Sequence, residues 1–160
     1  MKKILFLSYL AILTVSNTSI AGSSSEWYFE NYEKIEDALS GDSNFLVIPI
    51  VTTLGDIWRH KDGAIGAEVA PMIAKALINK PKEMLSWFSH NPKELESFIN
   101  ELPNALLTEY SGKESGMKEL IELKQELELS MKLFVGHPKN KDIAKKILNK
   151  VKSSEIRTIQ

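Results

Sequence analysis

Residues 63–79, GAIGAEVAPMIAKALIN, decide the fold class of this 160-residue chain. Their apolar side chains recur at steps of three and four, which is the spacing of one face of an α-helix. This stripe consists of Ile65, Val69, Met72, Ile73, Ala76 and Leu77. Small residues fill the positions between them, so a neighbouring helix can approach closely. The stretch predicts a core helix that begins after Asp62-Gly63 and is kinked at Pro71.

The stretch before this helix carries two competing signals. Residues 45–48, FLVI, form an apolar run that is typical of a buried strand, but a single strand has no partner here. After Pro49 the apolar residues return to helical spacing, and proline is tolerated in the first turn of a helix. We therefore predict a helix from about Ser43 to His60, kinked or restarted near Pro49.

Proline also marks the two helices that follow. The segment 79–81, NKP, ends one helix and opens the next with proline near its first position. The segment 91–94, NPKE, predicts a complete helix start. In this start Asn91 is the N-cap, and Glu94 reaches back to the cap.

The second half of the chain predicts further helices. Pro103 is expected to kink or restart a helix before the apolar group Leu106, Leu107 and Tyr110. A loop at 111–116 precedes the longest helix, whose core stripe is Leu120, Leu123, Leu127, Met131 and Phe134. Asn140 is expected to cap the last helix, and the polar segment 153–160 is predicted to be a flexible tail.

The expected fold is all-α, with about seven helices in antiparallel hairpins, because short connections place consecutive helices side by side. Two phrases, ALINKPKE at 76–83 and FSHNPKE at 88–94, each end a helix with Asn and Pro and open the next with Lys-Glu. This succession of Pro-marked hairpins over residues 43–135 resembles a short HEAT- or armadillo-type helical stack. An irregular helical bundle is the alternative architecture.

The first 21 residues have the pattern of a secretory signal peptide. Lys2 and Lys3 precede the apolar run 4–15, ILFLSYLAILTV, and small residues occupy positions −3 and −1 of a cleavage point after Ala21. The run is too short to span a bilayer. We predict a cleaved signal peptide at 1–21, a single all-α domain at 22–152 and the tail at 153–160. The protein is then exported, to the periplasm if the source is Gram-negative.

Composition excludes several chemistries. The chain has no cysteine, which excludes disulfides, a thiolate nucleophile and cysteine metal sites. Cleavage after Ala21 leaves 18 basic and 21 acidic residues, a net charge of −3. Residues 138–160 carry a net charge of +5, and the rest of the processed chain, residues 22–137, carries a net charge of −8. We expect no nucleic-acid partner. No second apolar run is long enough to span a membrane, so the processed chain is not expected to be an integral membrane protein.

Motifs for catalysis and cofactor binding are absent from the sequence. The three histidines, His60, His90 and His137, lie too far apart to share a helix face, and no HExxH pattern occurs. There is no G-x-S-x-G elbow, Walker loop or G-x-G-x-x-G motif. We therefore expect no metal, no cofactor and no catalytic residue.

Two groups of aromatic residues are candidates for binding a partner. Trp27, Phe29 and the neighbouring tyrosines are too many for one core stripe, so Trp27 or Phe29 is expected to point away from the core. Glu30 belongs to the same acidic helix, and exposed aromatics anchor interfaces. The second group lies at two helix ends: Trp58, Arg59 and His60, with Trp87 and His90. These ends could line one groove, or Trp58 and Trp87 could belong to the core.

By elimination, size, compartment, charge and missing motifs indicate an exported, non-enzymatic module that binds another protein. A specific version is an inhibitor or immunity protein that neutralises a toxin or enzyme acting in the periplasm. One alternative is a small cell-wall-directed hydrolase that uses paired carboxylates, Glu94 and Glu101, near His90. The other is a carrier of apolar ligands, with a cavity lined by Trp58, Met72, Trp87 and Phe98.

Overall fold

The computed structural model describes residues 26–41 and 46–159. The predicted signal peptide and the expected helix start at Ser43 lie outside the described residues. In chain order the elements are α1 (26–30), α2 (Tyr32–Ser40), α3 (Val47–His60), α4 (Gly63–Asn79), α5 (Pro81–His90), α6 (Pro92–Ala105), β1 (Thr108–Glu109), α7 (Glu114–Phe134), α8 (Lys141–Ser153) and β2 (Arg157–Thr158). The all-α prediction is confirmed.

Helix α4 is the centre of the fold. Its buried residues lie on several sides of the helix, and many of them are small, such as Gly66, Ala70 and Ala74. A helix that is apolar nearly all round must be covered on all sides, and α4 contacts α2, α3, α5, α6 and α7. In a helical stack each repeat contacts only its neighbours. The arrangement is therefore the irregular bundle, the second of the two predicted architectures.

The three interior prolines are accommodated in different ways. Pro49 lies in the first turn of α3, which agrees with the prediction of a helix that restarts near this proline. Val47 and Ile48 are helical, so the alternative of a buried strand at 45–48 does not hold for these two residues. Helix α4 continues through Pro71. Helix α6 also continues through Pro103 but ends at Ala105. The predicted helix over 106–110 is wrong, because the chain becomes extended and forms β1.

The described part of the predicted flexible tail, residues 153–159, is hydrogen-bonded to the body. Strand β2 pairs in parallel with β1, with Thr108 opposite Arg157 and Glu109 opposite Thr158. The Arg157 N–H donates to the Leu107 carbonyl over 2.9 Å. The chain between α8 and β2 is also held, because Lys124 Nζ donates to the Ser154 carbonyl over 2.7 Å.

The predicted starts of two helices are confirmed, but the predicted capping hydrogen bonds at these starts are wrong. Helices α6 and α8 begin after Asn91 and Asn140, yet neither side chain makes a capping hydrogen bond. Asn91 Nδ2 instead donates to the Trp87 carbonyl over 2.8 Å, and its Oδ1 accepts from Arg59. Glu94 also binds Arg59 instead of completing a capping box.

Helix α7 packs against α4 and α8. Of its predicted stripe, Leu127 and Met131 are fully buried, and Ser130 Oγ donates to the Leu77 carbonyl of α4 over 2.8 Å. On its outer side Leu129 and Leu133 are exposed. Within residues 26–41 and 46–159, every helix is too short or too polar to traverse a lipid bilayer.

Candidate functional site

The first candidate site is the exposed part of α1 and α2, which we call the acidic aromatic face. Its members are all exposed: Trp27, Phe29, Glu30, Tyr32 and Glu33. Its backbone is fixed by the neighbouring Tyr28, which is buried and donates from its hydroxyl to the Glu68 carbonyl of α4 over 2.9 Å. Burial raises the pKa of Tyr28, so the hydroxyl stays protonated and keeps donating. The rings of Phe29 and Tyr32 pack edge to face on Tyr28 at 5.3 and 5.8 Å.

The sequence predicted that Trp27 or Phe29 leaves the core, and in the structure both are exposed. Trp27 is 39% exposed and Phe29 is 49% exposed. Around them, residues 26–37 carry five carboxylates and one lysine. One of the five, Glu36, is paired with Lys75. In the part of the chain that the structure describes, the other four carboxylates form no ion pair. The face therefore presents apolar rings within a negative field.

At the end of α3, Arg59 is committed to contacts within the protein. Its Nε donates to Glu94 Oε1 over 2.8 Å, and a terminal nitrogen donates to Asp56 Oδ1 over 2.9 Å. A second terminal nitrogen donates to Asn91 Oδ1. Its guanidinium carbon also lies 5.8 Å from the ring centroid of Trp87. Arg59 thus connects the end of α3 to the end of α5 and the turn before α6, the two helix ends that were predicted to lie together.

Trp58, a predicted partner-binding residue, belongs to the core. Its side chain is 1% exposed, its ring lies 5.4 Å from that of Phe98, and its indole N–H donates to the Glu94 carbonyl over 3.2 Å. Lys61 Nζ covers it, 4.0 Å from the ring centroid. His60 is exposed beside it, with Nδ1 2.9 Å from the Asp56 carbonyl oxygen. Of the three residues predicted at this end, Arg59 and His60 are exposed and Trp58 is not.

The carboxylates considered for hydrolysis are engaged in separate contacts. The hydrogen bond from Arg59 lowers the pKa of Glu94, whereas a general acid at neutral pH needs a raised one. Glu101 accepts from Lys61 Nζ over 3.0 Å and from Ser97 Oγ over 2.7 Å. His90 Nδ1 instead lies 2.7 Å from the Ser86 carbonyl of its own helix. Glu94 and Glu101 thus form ion pairs that join α6 to the end of α3, and His90 contacts neither of them.

The second candidate site is a cleft of about 420 Å³ between α3, α5 and the turn before α8. We call it the α3–α5 cleft, and its lining residues are Ile48, Val51, Thr52, Lys82, Glu83, Ser86, Trp87, His90, Asn91, Lys139 and Asn140. Of the four residues predicted to line a ligand cavity, only Trp87 does so here; Met72 and Phe98 are fully buried. Trp87 and His90 are therefore the two sequence-predicted partner-binding residues that line this cleft.

Asn140 is the unusual member of this cleft. Its side chain is 6% exposed, and its Oδ1 accepts no hydrogen bond from any described group. An asparagine before a helix usually accepts from the first turn, but this one does not. A buried amide oxygen without a donor is costly, so natural proteins rarely leave one unsatisfied.

Sequence reasoning missed most of the cleft. Lys82, Lys139 and Ile48 gave no signal, and Asn140 was interpreted only as a cap. The one available signal was the turn 136–140, GHPKN, which places a lysine and an amide side chain together between two helices. Within residues 26–41 and 46–159, no group of three or more His, Asp or Glu side chains is arranged to hold a metal ion.

No protein-family model, no curated protein and no solved structure matches this chain.

Proposed function

We propose that this protein is an exported, non-enzymatic module that binds another protein through the acidic aromatic face. The observation that carries the proposal is the exposure of Trp27 and Phe29 beside unpaired carboxylates, on a helix fixed to the body by Tyr28. Large aromatic side chains dominate the binding energy of many interfaces. Their backbone is already ordered here, so less conformational entropy is lost on binding.

The chemistry of the face defines the partner. Trp27 and Phe29 fit apolar pockets, and Glu30 and Glu33 fit basic residues around those pockets. Charge complementarity of this kind accelerates association and weakens with salt. The partner is therefore a protein with a basic surface that surrounds an apolar depression.

Export narrows the setting in which the partner acts. The signal-peptide pattern of residues 1–21 supports a partner outside the cytoplasm. In the most specific form of the proposal, the partner is a toxin or enzyme that acts in the periplasm. The protein neutralises it by covering a basic active site. An adaptor role would use the same face but would leave the partner's activity intact.

Affinity capture with matched variants tests the proposal. Wild-type protein is immobilised and exposed to envelope extract at low and moderate salt, beside the variants Trp27→Ala/Phe29→Ala and Glu30→Gln/Glu33→Gln. Leu129→Ala/Leu133→Ala serves as the control, because it also removes exposed apolar side chains but from α7. We expect one stoichiometric partner that wild type and control retain and that both face variants lose. A partner retained equally by all four proteins would contradict the use of this face.

Two further measurements separate the parts of the proposal. Mass spectrometry of the protein recovered from the periplasm should give a chain that begins at Gly22. If the protein remains in the cytoplasm with its first 21 residues intact, the export proposal is wrong. Titration of the captured partner's activity with wild-type protein distinguishes an inhibitor, which abolishes the activity, from an adaptor, which does not.

A further inference from the structure

The α3–α5 cleft is separate from the acidic aromatic face and is built from other elements. One wall is apolar, formed by Ile48 and Val51 of α3 and by the half-buried indole of Trp87. Its volume of about 420 Å³ lies within the range of small-molecule sites. An indole in such a wall favours contact with another aromatic ring.

The polar residues of the cleft favour an anion. Lys82 and Lys139 both line it, and neither forms an ion pair with any described residue. Glu83 is the one carboxylate among the lining residues, and His90 is exposed at the same cleft. With histidine counted as neutral, the lining carries a net charge of +1.

Asn140 indicates that a ligand of the cleft should carry a hydrogen-bond donor. Its main chain is already used, because the N–H donates to the His137 carbonyl and the carbonyl accepts from the Ala144 N–H. Its buried Oδ1 is left without a donor. An amide oxygen is only an acceptor, and this one is closed off from solvent, so a ligand that satisfies it must bring an N–H or O–H group and turn the side chain toward the cleft.

We propose that the α3–α5 cleft binds a small aromatic carboxylate that also carries an N–H or O–H donor. Its ring packs on Trp87, its carboxylate accepts hydrogen bonds from Lys82 and Lys139, and its donor group binds Asn140 Oδ1. N-acylated aromatic amino acids have this combination of groups. The site does not depend on the acidic aromatic face.

Titration with three related compounds tests this chemistry. N-acetyl-phenylalanine carries the ring, the donor and the carboxylate, N-acetyl-phenylalaninamide lacks the charge, and acetate lacks the ring. Binding is followed by calorimetry and by tryptophan fluorescence on the full chain. We expect the acid to bind and the amide to bind about tenfold more weakly or worse, because hydrogen bonds to charged groups are the stronger ones. Acetate should not bind. Equal binding of acid and amide would overturn the carboxylate assignment.

Variants locate the site. Lys82→Gln/Lys139→Gln should weaken binding of the acid about tenfold or more. Lys145→Gln, an exposed lysine of α8 outside the cleft, should leave it unchanged. Unchanged binding to the double variant, or no binding of the acid to wild type at millimolar concentration, would refute the proposal.

Asn140→Leu separates a ligand role from a structural one. Leucine has a similar volume and removes the unsatisfied oxygen, so the melting temperature should stay the same or rise while the acid binds more weakly. A variant that loses stability but binds normally would show that the side chain supports the fold only. The Trp27→Ala/Phe29→Ala variant should bind the acid like wild type, so this proposal and the proposed function can fail separately.

Discussion

The indole of Trp87 lies so close to Gly55 that a Cβ atom at position 55 would overlap the ring atoms Cε2 and Cζ2. Gly55 is buried in the middle of α3, where glycine is normally unfavourable. The missing side chain lets α5 pack closely on α3 and fixes the ring that forms one wall of the α3–α5 cleft. The contact therefore links helix packing to the shape of the cleft.

Gly55→Ala should destabilise the protein. Overpacking a well-packed site costs about 1–3 kcal/mol, and the gain in helix propensity offsets about 1 kcal/mol of this. Urea denaturation followed by circular dichroism measures the change. Gly63→Ala is the control, because a Cβ there meets nothing within 4 Å and should be tolerated. A Gly55→Ala protein as stable as this control would show that Trp87 can move away freely.

Tyr28→Phe should lower the free energy of unfolding by about 1 kcal/mol, because it removes the hydrogen bond from α1 to α4. Tyr32→Phe is the matched control. That tyrosine is partly exposed, and its hydroxyl makes no hydrogen bond within the described residues, so little change is expected. Equal stability of both variants would mean that the hydroxyl of Tyr28 contributes nothing to the attachment of the acidic aromatic face.

Acid should weaken the link between α3 and α6. The Arg59 hydrogen bond lowers the pKa of Glu94 in the folded protein below its ordinary value of 4.5. The ion pair therefore stabilises the fold at pH values above about 4.5, and this contribution is lost as the pH falls through the lowered value. Because the pair is partly exposed, it is worth about 1 kcal/mol or less.

Comparison of wild type with Glu94→Gln from pH 7 to pH 3 checks this dependence. The difference in their unfolding free energies should shrink as the pH falls. Glu122→Gln, whose carboxylate lies 3.8 Å from Lys118 on an exposed face, should differ little from wild type at any pH. A gap between wild type and Glu94→Gln that stays constant to pH 3 would contradict the ion-pair explanation.

Gly112→Ala should cost about 1 kcal/mol, because Gly112 has a φ of 68°, a left-handed conformation that alanine disfavours. A Cβ there meets no neighbouring atom, so the backbone alone decides the result. Asn tolerates this conformation better than other residues, and Gly112→Asn should therefore lose less stability than Gly112→Ala. Thermal melts of the three proteins give the comparison, and the reverse order of stability would rule out the conformational explanation.

The helices could be predicted from the sequence because their signals are local. The apolar stripe of α4 and the prolines that open α5 and α6 lie within the elements they define. The pairing of β1 with β2 could not be predicted, because strands of two residues have no periodicity. Their stability comes from main-chain hydrogen bonds between segments far apart in the sequence.

The candidate sites also differ in how far local sequence signals could predict them. Crowding of aromatics within two helical turns predicted that Trp27 or Phe29 leaves the core. Trp58 and Trp87 each lie near a helix end, yet only Trp58 is fully buried, because Phe98 of a distant segment packs on it. The α3–α5 cleft joins residues from 48–52, 82–91 and 139–140, and no local pattern connects these segments.

The pairing of β1 with β2 also closes a long loop of the chain. Thr108 pairs with Arg157, 49 positions further along the chain, so α7 and α8 lie within one loop whose two ends are joined by hydrogen bonds. Closing a loop of this length costs configurational entropy, which packing within the loop must repay. Helices α7 and α8, which also pack on each other, should therefore open together as one cooperative unit, with the protons of their amides exchanging at similar rates.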